Sequence, residues 1–355
     1  MNNDYSATEC PTSGVGIGQV VLGCYRLRAV IGRSTHGTTY LAQHLHEDRM
    51  AAVQIADRTV IDKVGEQVAG RRFNDELHGG IRTRHPNLVT TYLAGRTDGV
   101  LPTVAMELVP GHTLAQELEA CPLGLSSEVL GPCFAQLGSA LLAMHNEGSV
   151  VRDLSPRKVL FDPGAGGRPR VTVRRLSMRC LRGPSYALRH RGAQTYLAPE
   201  QRVGRAVPAS DIYALGLMLW WSLTGDEPMP IEADAAHHDD EVAQRLRCAT
   251  PRLPEPVREL LGAMLAAHEH ARPTADEFVR RWPAVVASLG RGLARRSTAS
   301  PVAAEPATNG AQPLPFVRRR RERPVMVEAP CPPPPPFDVD AVTQDLSTAV
   351  SMFGR

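Results

Sequence analysis

The run VRDLSPRKVL, residues Val151 to Leu160, is the stretch on which the fold assignment turns. It stands between two segments of different character. Upstream, Leu114–Ala120 and Ser126–Glu147 carry apolar residues at helical spacing. Downstream, Val171–Val173 reads as a short strand, and helical spacing returns over Ser210–Thr224, Pro254–His268 and Ala275–Leu289. Arg272-Pro273 supplies a stop between the last two. Before Gly111 the character is reversed. Tyr25 to Gln43 reads strand, glycine turn, strand, with Thr38, Thr39 and Tyr40 as strong strand formers. Ala51–Ala56 (AAVQIA), Leu88–Tyr92 and Val100–Val109 read as further strands. Asp62–Thr83 has partial helical spacing interrupted by Gly79 and Gly80, each costing about 1 kcal/mol relative to alanine inside a helix. The first hundred residues are expected to form a sheet with one helix, and the remainder a larger helical body.

Composition narrows the class. The chain has 355 residues and 43% hydrophobic content, enough to bury a core. Its net charge of +3 is too small to indicate a nucleic-acid binder, and no specific nucleic acid is expected. The seven cysteines are odd in number and scattered, without a C-x-x-C pair, which argues against a zinc knuckle or a disulfide scaffold. The longest apolar run, Ala214 to Leu223, is far shorter than the ~18–20 residues of a membrane span. No transmembrane segment and a cytoplasmic location are therefore expected. Of the 40 basic residues only Lys63 and Lys158 are lysines. That scarcity matters because arginine does not copy lysine's chemistry.

Several further stretches fall in a telling order: the glycine turn Gly32-x-Ser34-x-x-Gly37, AAVQIA, MELVPG at 106–111, VRDLSPRKVL, YLAPEQ at 196–201, SDIYALG at 210–216 and ARPT at 271–274. From about Tyr25 to Leu289 the sequence resembles a bacterial eukaryotic-type serine/threonine protein kinase domain, in a degenerate, pseudokinase-like form. The resemblance implies an α+β, two-lobed protein-kinase-like fold. A small β-rich N-lobe (23–107) and a larger α-helical C-lobe (112–290) would follow a flexible lead (1–22). A disordered basic and proline-rich tail (291–337) and a short amphipathic helix (338–355) would close the chain. ATP would lie between the lobes.

The resemblance also assigns roles, and here the chain departs from the family. Ile31, Gly32, Gly37 and Thr39 match the phosphate-covering turn and the strand after it. Ala52 and Leu160 match the residues that sandwich adenine, and Met106, Glu107 and Val109 match the hinge. The third-strand lysine falls on Gln54, which carries no charge, while Glu76 keeps the place of its C-helix partner. Arg152 and the base Asp153 are retained. The lysine two residues on is Ser155, and the metal-holding asparagine is Lys158. The metal-binding D-F-G falls on Arg175-Leu176-Ser177, and no aspartate lies between Asp162 and Asp211. Hard cations need oxygen ligands, so Lys158 and Arg175 argue against a normal magnesium site. An ion pair from Arg175 to Glu76 or Asp153 is one way the cleft would fill. Ala193 replaces a threonine near the base.

Scaffold positions survive: Glu200 and Arg272 match the pair that locks the activation segment, and Asp211 the anchor of the catalytic loop. Gly80 falls where the C helix usually places a bulky residue, which implies a loose C helix. The expected function is a pseudokinase acting as a regulatory or scaffolding module. ATP is expected without magnesium, and no metal ligand is assigned. An unconventional kinase using Asp153 as base with Lys158 and Arg175 in place of metal stands beside it. So does a tail-driven interaction protein, through RRRRER at 318–323, the prolines at 332–336 or the apolar stripe Val339, Val342, Leu346, Val350 and Phe353. Protein partners are expected through the tail or the activation-segment face, where Ser185, Tyr186 and Thr195 are candidate phosphate acceptors. Homodimerisation is compatible with the resemblance. His237-His238-Asp239-Asp240 reads as a solvated polar loop rather than a metal site.

Overall fold

The computed structural model describes residues 14–80, 83–164, 169–176, 178–182, 195–231, 237–249 and 253–297. By contacts the chain divides into Met1–Gly290 and Arg291–Arg355. The described residues of the second unit belong to the end of the last helix. The tail from 298, including its arginine, proline and apolar-stripe segments, lies outside the described residues.

Six strands build the N-lobe sheet: β1 (Val20–Val21), β2 (Tyr25–Ser34), β3 (Gly37–His44), β4 (Met50–Ala56), β5 (Thr91–Thr97) and β6 (Leu101–Glu107). Their spatial order is β1-β2-β3-β4-β6-β5, antiparallel throughout. Alternation sets the first turns: Tyr25 and Leu27 are buried while Arg26 and Arg28 face solvent. Gly37, at the hairpin between β2 and β3, is required by close approach. A Cβ there would sit 2.2 Å from the Ile55 carbonyl oxygen. The ordered body starts earlier than residue 23. Val15 is fully buried and its carbonyl accepts the Tyr40 hydroxyl at 3.0 Å.

The single helix expected over 62–83 is two. α1 (Arg58–Val64) is capped by Asp57, whose side chain accepts from the Thr59 amide at 2.8 Å. It stops at Gly65, whose φ of +88° turns the chain, and α2 (Glu66–Gly80) follows. Gly79 and Gly80 are the last two described residues of the second helix.

The C-lobe opens with β7 (His112–Thr113), α3 (Leu114–Ala120) and α4 (Ser127–Asn146). Thr113 and Gln116 form a reciprocal capping box at the start of α3. The strands β8 (Val159–Asp162) and β9 (Arg170–Val173) join β7 in a small sheet. Then come α5 (Pro199–Arg202), α6 (Pro208–Thr224), α7 (His238–Ala249), α8 (Glu255–Met264) and α9 (Ala275–Ser297). Helix α6 is buried on every side from Ser210 to Ser222, as its all-round apolar sequence requires. The histidine-aspartate stretch is not a loop but the start of α7. His238 is buried and its Nε2 meets the Leu265 carbonyl at 3.0 Å, and Asp239 accepts from the Ala267 amide at 2.7 Å. No cluster suited to a metal ion occurs among the described residues, and no described helix is long and apolar enough to cross a membrane.

Each lobe has its own core. One gathers Tyr25, Tyr40, Ile55, Ile61, Phe73 and Val104 of the N-lobe, the other Phe134, Leu141, Tyr213, Leu261 and Phe278 of the C-lobe. Buried residues cross the expected division in both directions, and Leu88 belongs to the C-lobe core. Met178 and Leu181, from a 3-10 turn after β9 (Met178–Arg182), belong to the N-lobe core.

Candidate active site

The catalytic loop is held from below by one buried carboxylate. Asp211 accepts from the Val151 amide at 2.8 Å, the Arg152 amide at 3.0 Å and His145 Nε2 at 3.0 Å. Arg152 has a φ of +69°, a conformation a non-glycine residue holds only when its surroundings impose it. Its amide is taken by Asp211 and its carbonyl accepts the Gln201 side-chain amide, so both sides of the strained residue are fixed.

Above this anchor the charged side chains satisfy one another. Lys158 is buried and forms a hydrogen-bonded ion pair with Asp153. Arg152 reaches Glu76 of α2 at 3.5 Å. Burial pushes the Glu76 carboxyl above the usual glutamate value and the nearby Asp153 charge adds to this, while Lys158 and Arg152 pull it down. Glu76 therefore faces the catalytic loop. Gln54, on β4 opposite Thr39 and Val104, makes no side-chain hydrogen bond among the described residues.

The ion pairs expected from Arg175 do not form. Arg152 and Lys158 take the two carboxylates, and Arg175 is buried with Glu147 as the charge that favours its ionised form. Glu147 itself accepts the Thr83 hydroxyl at 2.5 Å. Burial lowers the pKa of Arg175, and its Nε and Nη1 have no hydrogen-bond partner.

Strand register explains which residue turns to the loop instead. β8 pairs Leu160 with Thr172 and Val159 with Val173. The Arg174 amide donates to the Lys158 carbonyl at 2.9 Å, continuing the ladder by one residue. Side chains alternate along a strand, so Leu160, Thr172 and Arg174 share one face, while Val159 and Val173 enter the C-lobe core. Leu160 packs on the N-lobe core, which marks that shared face as the one under the cleft. Arg174 Nη2 donates to the Arg157 carbonyl at 3.1 Å and feels the Asp153 charge. Neither Arg174 nor Thr172 stood out in the sequence. The register with Leu160 is the signal that finds them, and it needs the strand pairing to be known.

The positions matched to the adenine sandwich and the hinge lie along the N-lobe core. Ala52 and Met106 are direct cross-strand neighbours on β4 and β6, and both are buried. Ile31, Val109 and Leu160 pack against the same core. Gly32 pairs with Thr39 across the β2–β3 hairpin, and Gly37 closes it. Glu107 donates its amide to the Thr90 carbonyl at 2.8 Å and accepts the Thr90 amide on its carboxylate at 3.2 Å, tying the hinge to the N-lobe. Gly111 follows the hinge with φ of +101°, and a Cβ there would meet the Phe161 carbonyl oxygen at 2.2 Å. The turn Met178–Arg182 packs on α1 and α2, and Arg72 donates to the Leu181 carbonyl at 2.7 Å. Cys180 of that turn lies near Glu76 and Asp153, and burial raises its thiol pKa far above the usual range. Ser177, Ser185, Tyr186, Gly192 and Ala193 lie outside the described residues.

Farther down, Arg272 forks onto Glu200, at 2.8 Å to Oε1 and 3.0 Å to Oε2. Ser210 donates to the same carboxylate at 2.5 Å. Burial alone would raise the Glu200 pKa, but these hydrogen bonds outweigh it and hold the carboxyl below the usual value.

Comparison with known proteins bears on the family and the fold. The family described as the protein kinase domain is matched over residues 25–282. The serine/threonine-protein kinase PrkC of Bacillus subtilis is 31% identical over 271 residues, covering 74% of this chain and 40% of that protein. The serine/threonine-protein kinase pkn3 of Myxococcus xanthus is 26% identical over 321 residues, 88% of this chain and 54% of that protein. The chain thus spans about half the length, or less, of these relatives. Among solved structures, the PknI kinase domain of Mycobacterium tuberculosis superposes with a TM-score of 0.60 at 22% identity, over 77% of this chain and all of that one, which speaks to the fold. With this match running through both lobes, the chain belongs to the protein kinase domain family, among the bacterial serine/threonine kinases of eukaryotic type.

Proposed function

We propose that this chain is a pseudokinase, a protein kinase fold used as a regulatory or scaffolding module with weak or absent phosphotransfer. The observation that carries the reading is the ion pair between Lys158 and Asp153. In a kinase that aspartate accepts the substrate hydroxyl proton, and metal ions neutralise the charge developing on the transferred phosphoryl group. Here the base is engaged by a cation standing at the metal-ligand position. Magnesium demands near-octahedral oxygen ligation. The residues at its two expected positions are Lys158 and Arg175, and neither offers a side-chain oxygen. They do not fit the ion, so the reading keeps ATP and omits magnesium. Losing a single charge-stabilising group such as an arginine finger costs about 10³- to 10⁵-fold in rate. Gln54, Lys158 and Arg175 together replace three such groups.

An active kinase that grips phosphate through Arg175 is the less favoured reading, because Arg175 has Glu147 as its charged neighbour. The module acts through protein partners, by its activation-segment face or its tail. Scattered free cysteines support a cytoplasmic setting. The test is transfer of radiolabelled phosphate from ATP to protein by the full chain, beside Asp153→Asn. Equal, background-level signals are expected. Transfer that disappears in Asp153→Asn overturns the reading.

A further inference from the structure

The face of the β8–β9 ribbon under the cleft carries two polar side chains with unmet hydrogen-bonding capacity. Thr172 is fully buried, and its Oγ1 has no hydrogen-bond partner. Arg174 has its Nε buried without a partner while its Nη2 holds the Arg157 carbonyl. Buried polar atoms are nearly always paired, and an unpaired one beside a ligand cleft calls for a ligand or ordered water. Leu160, on the same face, supplies the apolar platform next to them. The charges are unequal as well. Arg152, Lys158 and Arg174 gather around only two carboxylates, Glu76 and Asp153. A cation left over beside this cluster favours an anion, and arginine's planar fork suits phosphate oxygens.

We propose that Arg174 is the phosphate-gripping residue of this cleft, and that with Lys158 it holds a nucleoside polyphosphate free of metal, Thr172 meeting the same ligand beside Leu160. This rests on the pseudokinase reading and deepens it. Arg174 takes over the charge role that Gln54 cannot fill and that magnesium would otherwise supply. A consequence follows that is opposite in sign to ordinary kinase behaviour. Magnesium bound to ATP cancels part of the charge that Arg174 and Lys158 recognise. It also brings a cation against their guanidinium and ammonium groups. Magnesium therefore weakens binding.

The test is calorimetric titration of the full chain with ATP, once in EDTA and once in excess magnesium chloride. Tighter binding in EDTA, by about tenfold or more, is expected from the loss of charge-assisted hydrogen bonds to the chelated phosphates. Arg174→Gln is expected to weaken the EDTA affinity by a similar factor and to abolish the magnesium effect, with Arg174→Lys retaining part of both. Binding that tightens with magnesium overturns the proposal, as does absence of binding at millimolar ATP. An Arg174→Gln affinity that is unchanged or improved also overturns it, because the side chain then only fills the cleft. The wild-type comparison decides the magnesium sign even where a variant fails to fold. Phosphate transfer dependent on Asp153, with ATP still tightest in EDTA, breaks the pseudokinase reading and leaves this one standing. Silence in both assays does the reverse.

Discussion

Two buried charge sites in this molecule, Arg272–Glu200 and the Lys158–Asp153–Glu76–Arg152 cluster, have been built to different standards. Arg272 is fully enclosed and donates to Glu200 twice, and also to the carbonyls of Ala209, Ala266 and Ala267. Its guanidinium also lies 4.9 Å from the Tyr213 ring centroid. The cleft cluster is looser. Arg152 is half-exposed at 55%, its contact with Glu76 is 3.5 Å long, and Arg174, Arg175 and Thr172 keep unpartnered atoms. A site that only has to hold the fold saturates its hydrogen bonds. A site on a cleft keeps capacity in reserve. The two kinds of burial make different demands on stability, and substitutions should expose the difference.

The largest effect is expected at the saturated site. Arg272→Ala leaves Glu200 charged and buried, and breaking such a pair costs about 3–5 kcal/mol. Urea unfolding should show the midpoint falling accordingly, and a loss below about 1 kcal/mol would place the lock among ordinary surface pairs. Next comes the anchor between the two sites. Asp211→Ala strands the buried Val151 amide, at roughly 1–3 kcal/mol, and leaves the part-buried Arg152 amide to water at a smaller cost, for about 2–4 kcal/mol together. Hydrogen exchange at those two amides should accelerate more than the global loss accounts for.

The pH dependence of the two glutamates should have opposite sign. The folded-state pKa of Glu200 lies below the ordinary value of 4.5. Its contribution is present above the unfolded pKa and is lost as pH falls through the folded one. The folded-state pKa of Glu76 lies above 4.5, so the native state binds the extra proton. Its contribution is present below the unfolded value and is lost as pH rises through the folded one. Unfolding at pH 4 and pH 7 should therefore show Glu200→Gln losing more stability at pH 7. Glu76→Gln should lose less at pH 7 than at pH 4, or gain there. Changes of the same sign would remove the distinction between the sites. The smallest effect belongs to Arg152→Ala, within about 1 kcal/mol in thermal or urea unfolding, because its half-exposed guanidinium is largely screened and its contact is long.

Much of the fold was legible because strands and helices repeat their apolar residues with different periods. Tyr25 and Leu27 alternate with the exposed Arg26 and Arg28, and the helix over 208–224 is apolar on all sides. The helix boundary at Gly65 was missed because the spacing ran on through Val64 and Val68, and only backbone dihedrals reveal the turn. The polar start of α7 looked like a loop because His238 is buried by α8 and the chain after it, contacts distant in sequence. In the cleft, the absence of an aspartate between Asp162 and Asp211 could be read directly, and so could Gln54 and Lys158.

Which cation meets which carboxylate was a different matter. Residue types alone supply the inventory: a kinase fold, the neutral Gln54 where the family keeps a lysine, and cations where metal ligands stand. Those are facts of residue type, and motif order locates them. Folding selects the partners: Lys158 takes Asp153, Arg152 takes Glu76, and Arg174 rather than Arg175 faces the catalytic loop. Those choices depend on strand register and on a turn at Met178–Arg182 packing against α2. Charges attract without direction, so the backbone that fixes each side chain's face selects the partner.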